Sequence, residues 1–358
     1  MRIKKEVRKI VASVLAFLMV VSLIPVNSLM TKANAASKTT FEGGKTVEDG
    51  TWKGWTWNVF GSSTDVTKAF ATDTGNGGVT LEVTGDKGKI NGSASDQGLN
   101  TFLYELDKSY DFTITAQAKV DTLAANAQAA FGLTIRDNVG AHGNTAKLTA
   151  DKNNFAFVGG YGNQAASGHG NAGYKTTALA HTRLGESPEV GGTYDLAIQK
   201  VGDSVKLYFN GEVAAECSAD DLITDNAMYV GLFAARNAKV TFNNVKLAYT
   251  QDSSSVKVTT NVTAPKKTTY CAGNTYEDVD LTGFKATVSV DGKEREITAS
   301  DCVVDMSNDP FAEVTDAVKL NLLYLGQTIE VPITVIKEVV SDMYIEYMPV
   351  KTDYMVTD

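Results

Sequence analysis

The chain has 358 residues, with 33 Lys and Arg against 42 Asp and Glu, and three cysteines. Its acidic balance argues against nucleic acid or an anionic membrane as partner. Three thiols are too few for a disulfide scaffold.

The chain opens on "MRIKKEVRK", followed by an apolar run from Ile10 to Ile24 and the small-residue triplet Ala33-Asn34-Ala35. This is the pattern of a secretory signal peptide over residues 1–35, cleaved after Ala35. The run is shorter than the roughly 20 residues a spanning helix needs, so no membrane span is expected in the mature chain. Removing 6 basic and 1 acidic residue leaves 27 basic against 41 acidic, net −14. A soluble, monomeric protein, secreted or at the cell surface, with room for two domains is expected. Cys271 and Cys302 fall in one expected domain and are candidates for a bridge, whereas Cys217 has no local partner. The odd count and the secreted context pull in opposite directions, so the pairing stays open.

From residue 40 onward, period-2 alternation recurs in run after run. In "YDFTITAQAKV", Tyr110, Phe112, Ile114, Ala116, Ala118 and Val120 share one face, and Asp111, Thr113, Thr115, Gln117 and Lys119 the other. The pattern predicts a strand with one face buried and one wet. "VTLEV" repeats it with Val79, Leu81 and Val83, and "VKLYFNG" with Val205, Leu207 and Phe209 before the turn residues Asn210-Gly211. In "KVTFNNVKLAY" the apolar parity flips between Phe242 and Val245, which predicts a β-bulge at Asn243-Asn244. Only short stretches such as "SADDLI" near Asp220 suit a helix. Many short strands punctuated by Gly, Asn and Asp predict an antiparallel sandwich over residues 40–250, followed by a small polar linker, 251–255.

A second sandwich is expected over 256–337. "FKATVSVDGKEREIT" reads as strand, Asp291-Gly292 turn and polar return strand, and "VKLNLLYLGQTIEVPITV" as a further hairpin. In that hairpin Pro332 implies an edge or strand end. "APKKTTYCAGN" (264–274) aligns with "MPVKTDYMVTD" (348–358) at an offset of 84 residues. Residues 338–358 are therefore expected to start a second, truncated copy of this module.

Two resemblances add to this reading. "YDLAIQKVGDSVKLYFNGE" (Tyr194 to Glu212) and "MYVGLFAARNAKVTFNNVKLAY" (Met228 to Tyr249) resemble strands of the concanavalin-like, laminin-G-like jelly rolls. With "WTWNVFGSSTD", "GDKGKINGS" and "FGLTIRDNVG", the first domain looks most like the jelly roll attached to secreted bacterial pectate lyases. "PKKTTYCAGNTYEDVDLTGFKATV" and "GQTIEVPITV" resemble the bacterial immunoglobulin-like modules that serve as spacers and stalks. The fold class expected is all-β, an antiparallel jelly-roll β-sandwich followed by a smaller immunoglobulin-like β-sandwich.

Catalysis needs an acid/base pair, a metal cluster or an activated nucleophile. No Glu-x-Asp-x-x-Glu strand of the jelly-roll glycosidase kind occurs, and no solenoid repeat is present to build a lyase site. His142, His169 and His181 lack metal-ligand spacing. No catalytic centre is recognised; if the chain belongs to an enzyme, the resemblance implies a polysaccharide lyase whose catalytic domain lies outside these residues.

Binding fits better. Sugars are held by aromatic faces and planar polar groups. "TWKGWTWNVFG" holds all three tryptophans, for which core anchor and exposed platform both stand as readings. Anchor is favoured for Trp55 and Trp57, and Trp52 is expected to be the exposed member. Arg136-Asp137 and Arg236-Asn237 each follow a Gly-Leu strand, and Arg suits a uronate carboxylate; a structural Arg–Asp pair is the competing reading. The Gly-rich stretch 159–175 carries Tyr161, His169 and Tyr174 and reads as a binding-face loop.

Jelly rolls often hold a structural Ca²⁺, but no ligand spacing identifies one, so no cofactor is assigned. Residues 36–250 hold 18 basic and 23 acidic groups, net −5, which weakens a polyanionic ligand at long range. The expectation is a secreted, non-catalytic polysaccharide-binding region, accessory to a pectate lyase-like or other plant-polysaccharide-degrading protein. Its partner would be a pectin- or polygalacturonate-like or other plant cell-wall glycan. An adhesin on an immunoglobulin-like stalk and an atypical jelly-roll glycosidase are the alternatives.

Overall fold

The computed structural model describes residues 39–337, apart from 62–63, 91–96, 126–127, 147, 149–152, 162–169, 176–178 and 183–187. For 170–175, 179–182 and 260–261 it describes the backbone alone. The expected signal peptide and truncated repeat lie outside the described residues.

The architecture is all-β. In chain order the first strands are β1 (Thr39–Thr40), β2 (Trp55–Phe60), β3 (Ala69–Asp73), β4 (Val79–Val83), β5 (Leu99–Asp107), β6 (Asp111–Leu123), β7 (Ala130–Arg136) and β8 (Phe155–Tyr161). There follow β9 (Gly170–Lys175), β10 (Leu179–Thr182), β11 (Thr193–Val201), β12 (Ser204–Phe209), β13 (Glu212–Ser218), β14 (Ala227–Ala235) and β15 (Ala238–Thr250). Beyond them lie β16 (Lys257–Thr263), β17 (Thr269–Cys271), β18 (Lys285–Val290), β19 (Lys293–Thr298), β20 (Val303–Asp305), β21 (Thr315–Tyr324) and β22 (Gln327–Ile336).

The first fifteen strands form two antiparallel sheets. An eight-stranded sheet has the order β1-β3-β4-β15-β6-β11-β12-β13, and a seven-stranded sheet β10-β9-β8-β7-β14-β5-β2. The chain crosses between them at β1 to β2, β2 to β3, β4 to β5, β5 to β6, β6 to β7, β10 to β11, β13 to β14 and β14 to β15, which is the winding of a jelly roll. The two inner faces interdigitate: Phe112, Ile114 and Val120 of β6 meet Phe131, Leu133 and Ile135 of β7 and Val230 and Leu232 of β14 in one core. Each such side chain contributes about 1.5–3 kcal/mol on burial.

The tryptophans belong to that core. Trp55 and Trp57 point inward from β2, Trp55 stacks on Phe102 at 5.3 Å, and Trp57 Nε1 donates to Asn100 Oδ1 at 2.7 Å. Asn100 Nδ2 in turn donates to the carbonyls of Phe70 and Glu82, so one buried amide ties β5 of one sheet to β3 and β4 of the other. Trp52 corrects the expectation: it is 4% exposed. The turn ahead of β2, with Gly54 at φ +87°, folds it back so that its ring meets Trp55 edge-on at 5.7 Å and Phe102 at 5.4 Å. It is an anchor, not a platform.

Local signals translate directly. Asn210-Gly211 turns β12 into β13 with φ of 46° and 76°. The parity flip in β15 is a register shift between Asn243 and Lys246, with Asn244 at φ 51°. "SADDLI" contains a one-turn helix, Ala219–Leu222, whose start is capped by Ser218 Oγ accepting from Asp221 N–H.

Strands β16 to β22 form a three-stranded sheet, β16-β18-β19, and a four-stranded sheet, β17-β22-β21-β20, around Phe284, Val288, Leu320, Leu322, Val331 and their neighbours. Pro332 lies where β22 has only β21 beside it, because β17 joins only at Thr334 to Ile336. Cys217, Cys271 and Cys302 are free thiols, so the candidate bridge is not formed. Burial of Cys302 pushes its thiol far up, which keeps it protonated.

The expected linker is ordered. Asp252 caps a 3-10 turn, Ser253–Ser255, and Gln327 Nε2 of the second sandwich donates to Ser253 O at 2.9 Å. The second sandwich docks on the outer face of the eight-stranded sheet. Thr113 and Thr115 of β6, expected to be wet, are 1% and 7% exposed. Leu325 N–H donates to Thr113 Oγ1 at 3.0 Å and Thr115 Oγ1 donates to Ser300 O at 2.6 Å. Ala197 and Tyr208 pack against Val303 in a small apolar cluster between the two units.

Candidate functional site

Two faces of the jelly roll carry polar residues suited to ligands, and they are built differently. On the seven-stranded sheet, β7 directs Arg136 outward, but the side chain is fully buried. Its guanidinium lies between Phe60 and Phe155, 5.6 Å and 5.0 Å from the ring centroids. Nη2 donates to Gln97 Oε1 and Asn153 Oδ1, both at 2.9 Å, and Nε to Asn138 O at 3.2 Å. Burial lowers the guanidinium to about 10, and Asp137 acts in the other direction.

Asp137 is 1% exposed and accepts from Asn154 N–H at 3.0 Å and Thr224 Oγ1 at 3.4 Å. Burial raises its carboxyl to about 6, against the opposing charge of Arg136. Of the two readings of Arg136 and Asp137, the burial of both side chains favours the structural one, in which they hold strand-end loops together. The reason is convergence, since segments at residues 97, 138 and 153 close over the strand end and take up most of the guanidinium's donors.

Arg236 and Asn237 occupy a left-handed turn, φ 52° and 44°, where the chain passes from one sheet to the other. Arg236 Nε donates to Gly88 O at 3.1 Å. Arg236 and Arg136 therefore hold opposite ends of the same loop, at Gly88 and Gln97, and neither points as a pair at a common ligand. Asn237 is exposed, and its carbonyl accepts from Ala124 N–H. Tyr161 ends β8 half-buried against Phe157 at 5.7 Å, its hydroxyl raised by burial. His169 lies outside the described residues, and of Tyr174 only the backbone, in β9, is described. The Gly-rich stretch is in part paired strand, since Gly170 to Lys175 pairs with β8. Among the described residues no group of three or more His, Cys, Asp and Glu is poised to hold a metal ion.

The open polar surface is on the other face. Between the eight-stranded sheet and the second sandwich lies a cleft of ≈ 530 Å³. Its rim and floor include Gln117, Asp195, Asn210, Tyr276, Glu277 and Ser300. Gln117 Nε2 donates to Asp195 Oδ1 at 3.2 Å, and Tyr276 Oη donates to Asp195 Oδ2 at 2.9 Å. Asn210 Oδ1 accepts from Asp195 N–H at 2.9 Å. Burial and the adjoining Asp195 carboxylate push the Tyr276 hydroxyl far up, so it stays a donor.

Sequence reasoning did not find this site. Its groups come from β6, β11, the β12–β13 turn and the second sandwich, and each alone is an ordinary outward polar residue. The outward parity of Gln117 and Asp195 was the available signal.

Among the described residues no helix is long and apolar enough to cross a membrane. No protein-family profile matches the chain. Over 310 residues, 85% of its length, the chain is 29% identical to pectate lyase L of Thermoclostridium stercorarium, but spans only 23% of that protein. Among solved structures it is similar to the carbohydrate-binding module CBM66 from Bacillus subtilis, with TM-score 0.32, 17% identity, and coverage of 58% of this chain and 98% of that one. It is likewise similar to lectin II from Ulex europaeus, with TM-score 0.35, 10% identity, and coverage of 59% and 98%. Likeness at that level is weak, and the architecture rests on the strand topology itself; in sequence, the chain is similar to less than a quarter of a pectate lyase.

Proposed function

We propose that the chain is a secreted, non-catalytic polysaccharide-binding region accessory to a pectate lyase-like protein. One observation carries this reading: the similarity to pectate lyase L runs across 85% of this chain while occupying 23% of the lyase, so most of that protein lies outside the matched part. In this reading the jelly roll and its docked partner hold a neighbouring catalytic domain near its polymer and raise the effective substrate concentration.

The test is affinity electrophoresis of the chain lacking residues 1–35, in gels containing polygalacturonate, pectin, arabinan, galactan, xylan or no polysaccharide, with and without Ca²⁺. Retardation in at least one polysaccharide gel is expected, with no release of unsaturated or reducing ends on incubation. Equal mobility in every gel would overturn the binding role, and bond cleavage would overturn the accessory one.

A further inference from the structure

We infer that the cleft between the jelly roll and the second sandwich is a subsite for a neutral sugar unit, a hexose or pentose residue without a carboxylate. This rests on the polysaccharide-binding reading and assigns it a place and a ligand class.

A cleft of ≈ 530 Å³ falls within the size range of small-ligand sites, which favour domain junctions. Its lining includes the half-buried apolar side chains of Val279 and Leu281, which suit the C–H surface of a sugar ring. Its polar groups are pre-positioned. The Gln117, Tyr276 and Asn210 contacts to Asp195 fix four side chains from four parts of the chain around one point. Those contacts leave Gln117 Oε1 as an acceptor and Asn210 Nδ2 as a donor without protein partners among the described residues, complementary to hydroxyls that both donate and accept.

The charge of the lining selects the ligand. Asp195 and Glu277 are its ionisable carboxylates, and among the described residues no Lys, Arg or His lines the cleft. A uronate carboxylate here would face like charge with no cation to pair with, and like-charge contact at a binding surface is strongly unfavourable. Neutral hydroxyls meet no such cost and can donate to the same carboxylates. The Arg-rich surface that a uronate would need is not in this cleft, and Arg136, the guanidinium expected to supply it, is buried on the opposite face of the jelly roll.

Isothermal titration of the chain lacking residues 1–35 with arabino-, galacto- and xylo-oligosaccharides, and with oligogalacturonates, tests the inference. Binding of at least one neutral series is expected, weakened about tenfold or more by Gln117→Ala and by Asn210→Asp, the loss of one or two hydrogen bonds. Asn210→Asp retains the Oδ1 acceptor and the tolerance for a left-handed backbone, so unchanged thermal unfolding would show that weakened binding is not misfolding. Neutral binding untouched by both variants would place the sugar elsewhere and overturn the cleft, while leaving the polysaccharide-binding role standing. Binding of oligogalacturonates alone would overturn the neutral-sugar assignment. No binding to any series would overturn both this inference and the function beneath it.

Discussion

The two outer faces of the jelly roll are both covered, by different means. At one end of the seven-stranded sheet the cover is the domain's own loops, clamped by a buried arginine between two phenylalanines. Over the eight-stranded sheet the cover is a separate sandwich, joined by hydroxyl-to-backbone hydrogen bonds and a small apolar cluster that leave a polar cleft. The difference teaches where polar side chains are spent. A charge enclosed inside one domain, with Nε and Nη2 bonded to that domain's own loops, is structural, whereas the looser fit between two domains leaves amide groups available.

The largest effect expected from breaking this contrast is at Arg136. Arg136→Met strips Gln97, Asn153 and the Asn138 carbonyl of a charged donor and leaves Asp137 buried beside no cation. The expected loss is about 3 kcal/mol or more, read from urea unfolding. Glycan binding of the fraction that stays folded should be unchanged, and a selective loss of binding without destabilisation would return Arg136 to the role of ligand contact.

Next in size is the junction. Thr113→Val removes the acceptor of the buried Leu325 N–H, with an expected cost of about 1–3 kcal/mol. Gly211→Ala acts at the same interface, since a Cβ there would sit 2.6 Å from Val304 O at a φ of +76°, and left-handed backbone costs a non-glycine residue about 1–2 kcal/mol. Calorimetry should show the two sandwiches of the parent chain unfolding together and those of the double variant separating into two transitions. A single unshifted transition in the double variant would mean that the interface contributes little.

A subtler contrast lies in pH. The Asp137 carboxyl is raised in the fold from 3.8 to about 6, so the folded state binds its proton more tightly than the unfolded state does. The stability this confers is fully present below about pH 4 and is lost as pH rises toward and through about 6. Asp137→Asn should therefore narrow its stability gap to the parent, or overtake it, as pH rises across that window. A gap independent of pH between 3.5 and 7 would contradict the buried, proton-retaining carboxyl. The smallest effect is expected on the exposed return hairpin of the second sandwich. There Lys285→Ala breaks only the surface pair with Glu296 and should change stability by less than about 0.5 kcal/mol.

Much of the fold was legible in the residues. Alternation marked β4, β6 and β12, Asn210-Gly211 and Asp291-Gly292 marked turns, and the parity flip marked the bulge of β15, because each depends on neighbours in sequence. The anchor role of Trp55 and Trp57 followed from their shared strand face. Trp52 was misplaced because it sits in a turn, where strand parity no longer says which way a side chain points.

The candidate site was hardly legible. For Arg136 and Asp137 the sequence left ligand contact and structural pair both standing, because their environment is assembled from residues 97, 138, 153, 154 and 224. Local pattern carries no information about such convergence. Gln117 read as a residue of a wet strand face and Asn210 as a hairpin turn for the same reason, and nothing local singled out Asp195.

The sequence by itself determined that this protein is built of β-strands, most of them antiparallel, which side chains of the alternating strands face a core and where the hairpins turn, since period-2 patterning and left-handed turn residues act over a few positions. Only the tertiary structure decided which outward faces meet water. That depends on what a loop or a second domain some 200 residues away lays over them, as Leu325 does over Thr113, and the same docking decides that a guanidinium is buried and an amide cleft is open.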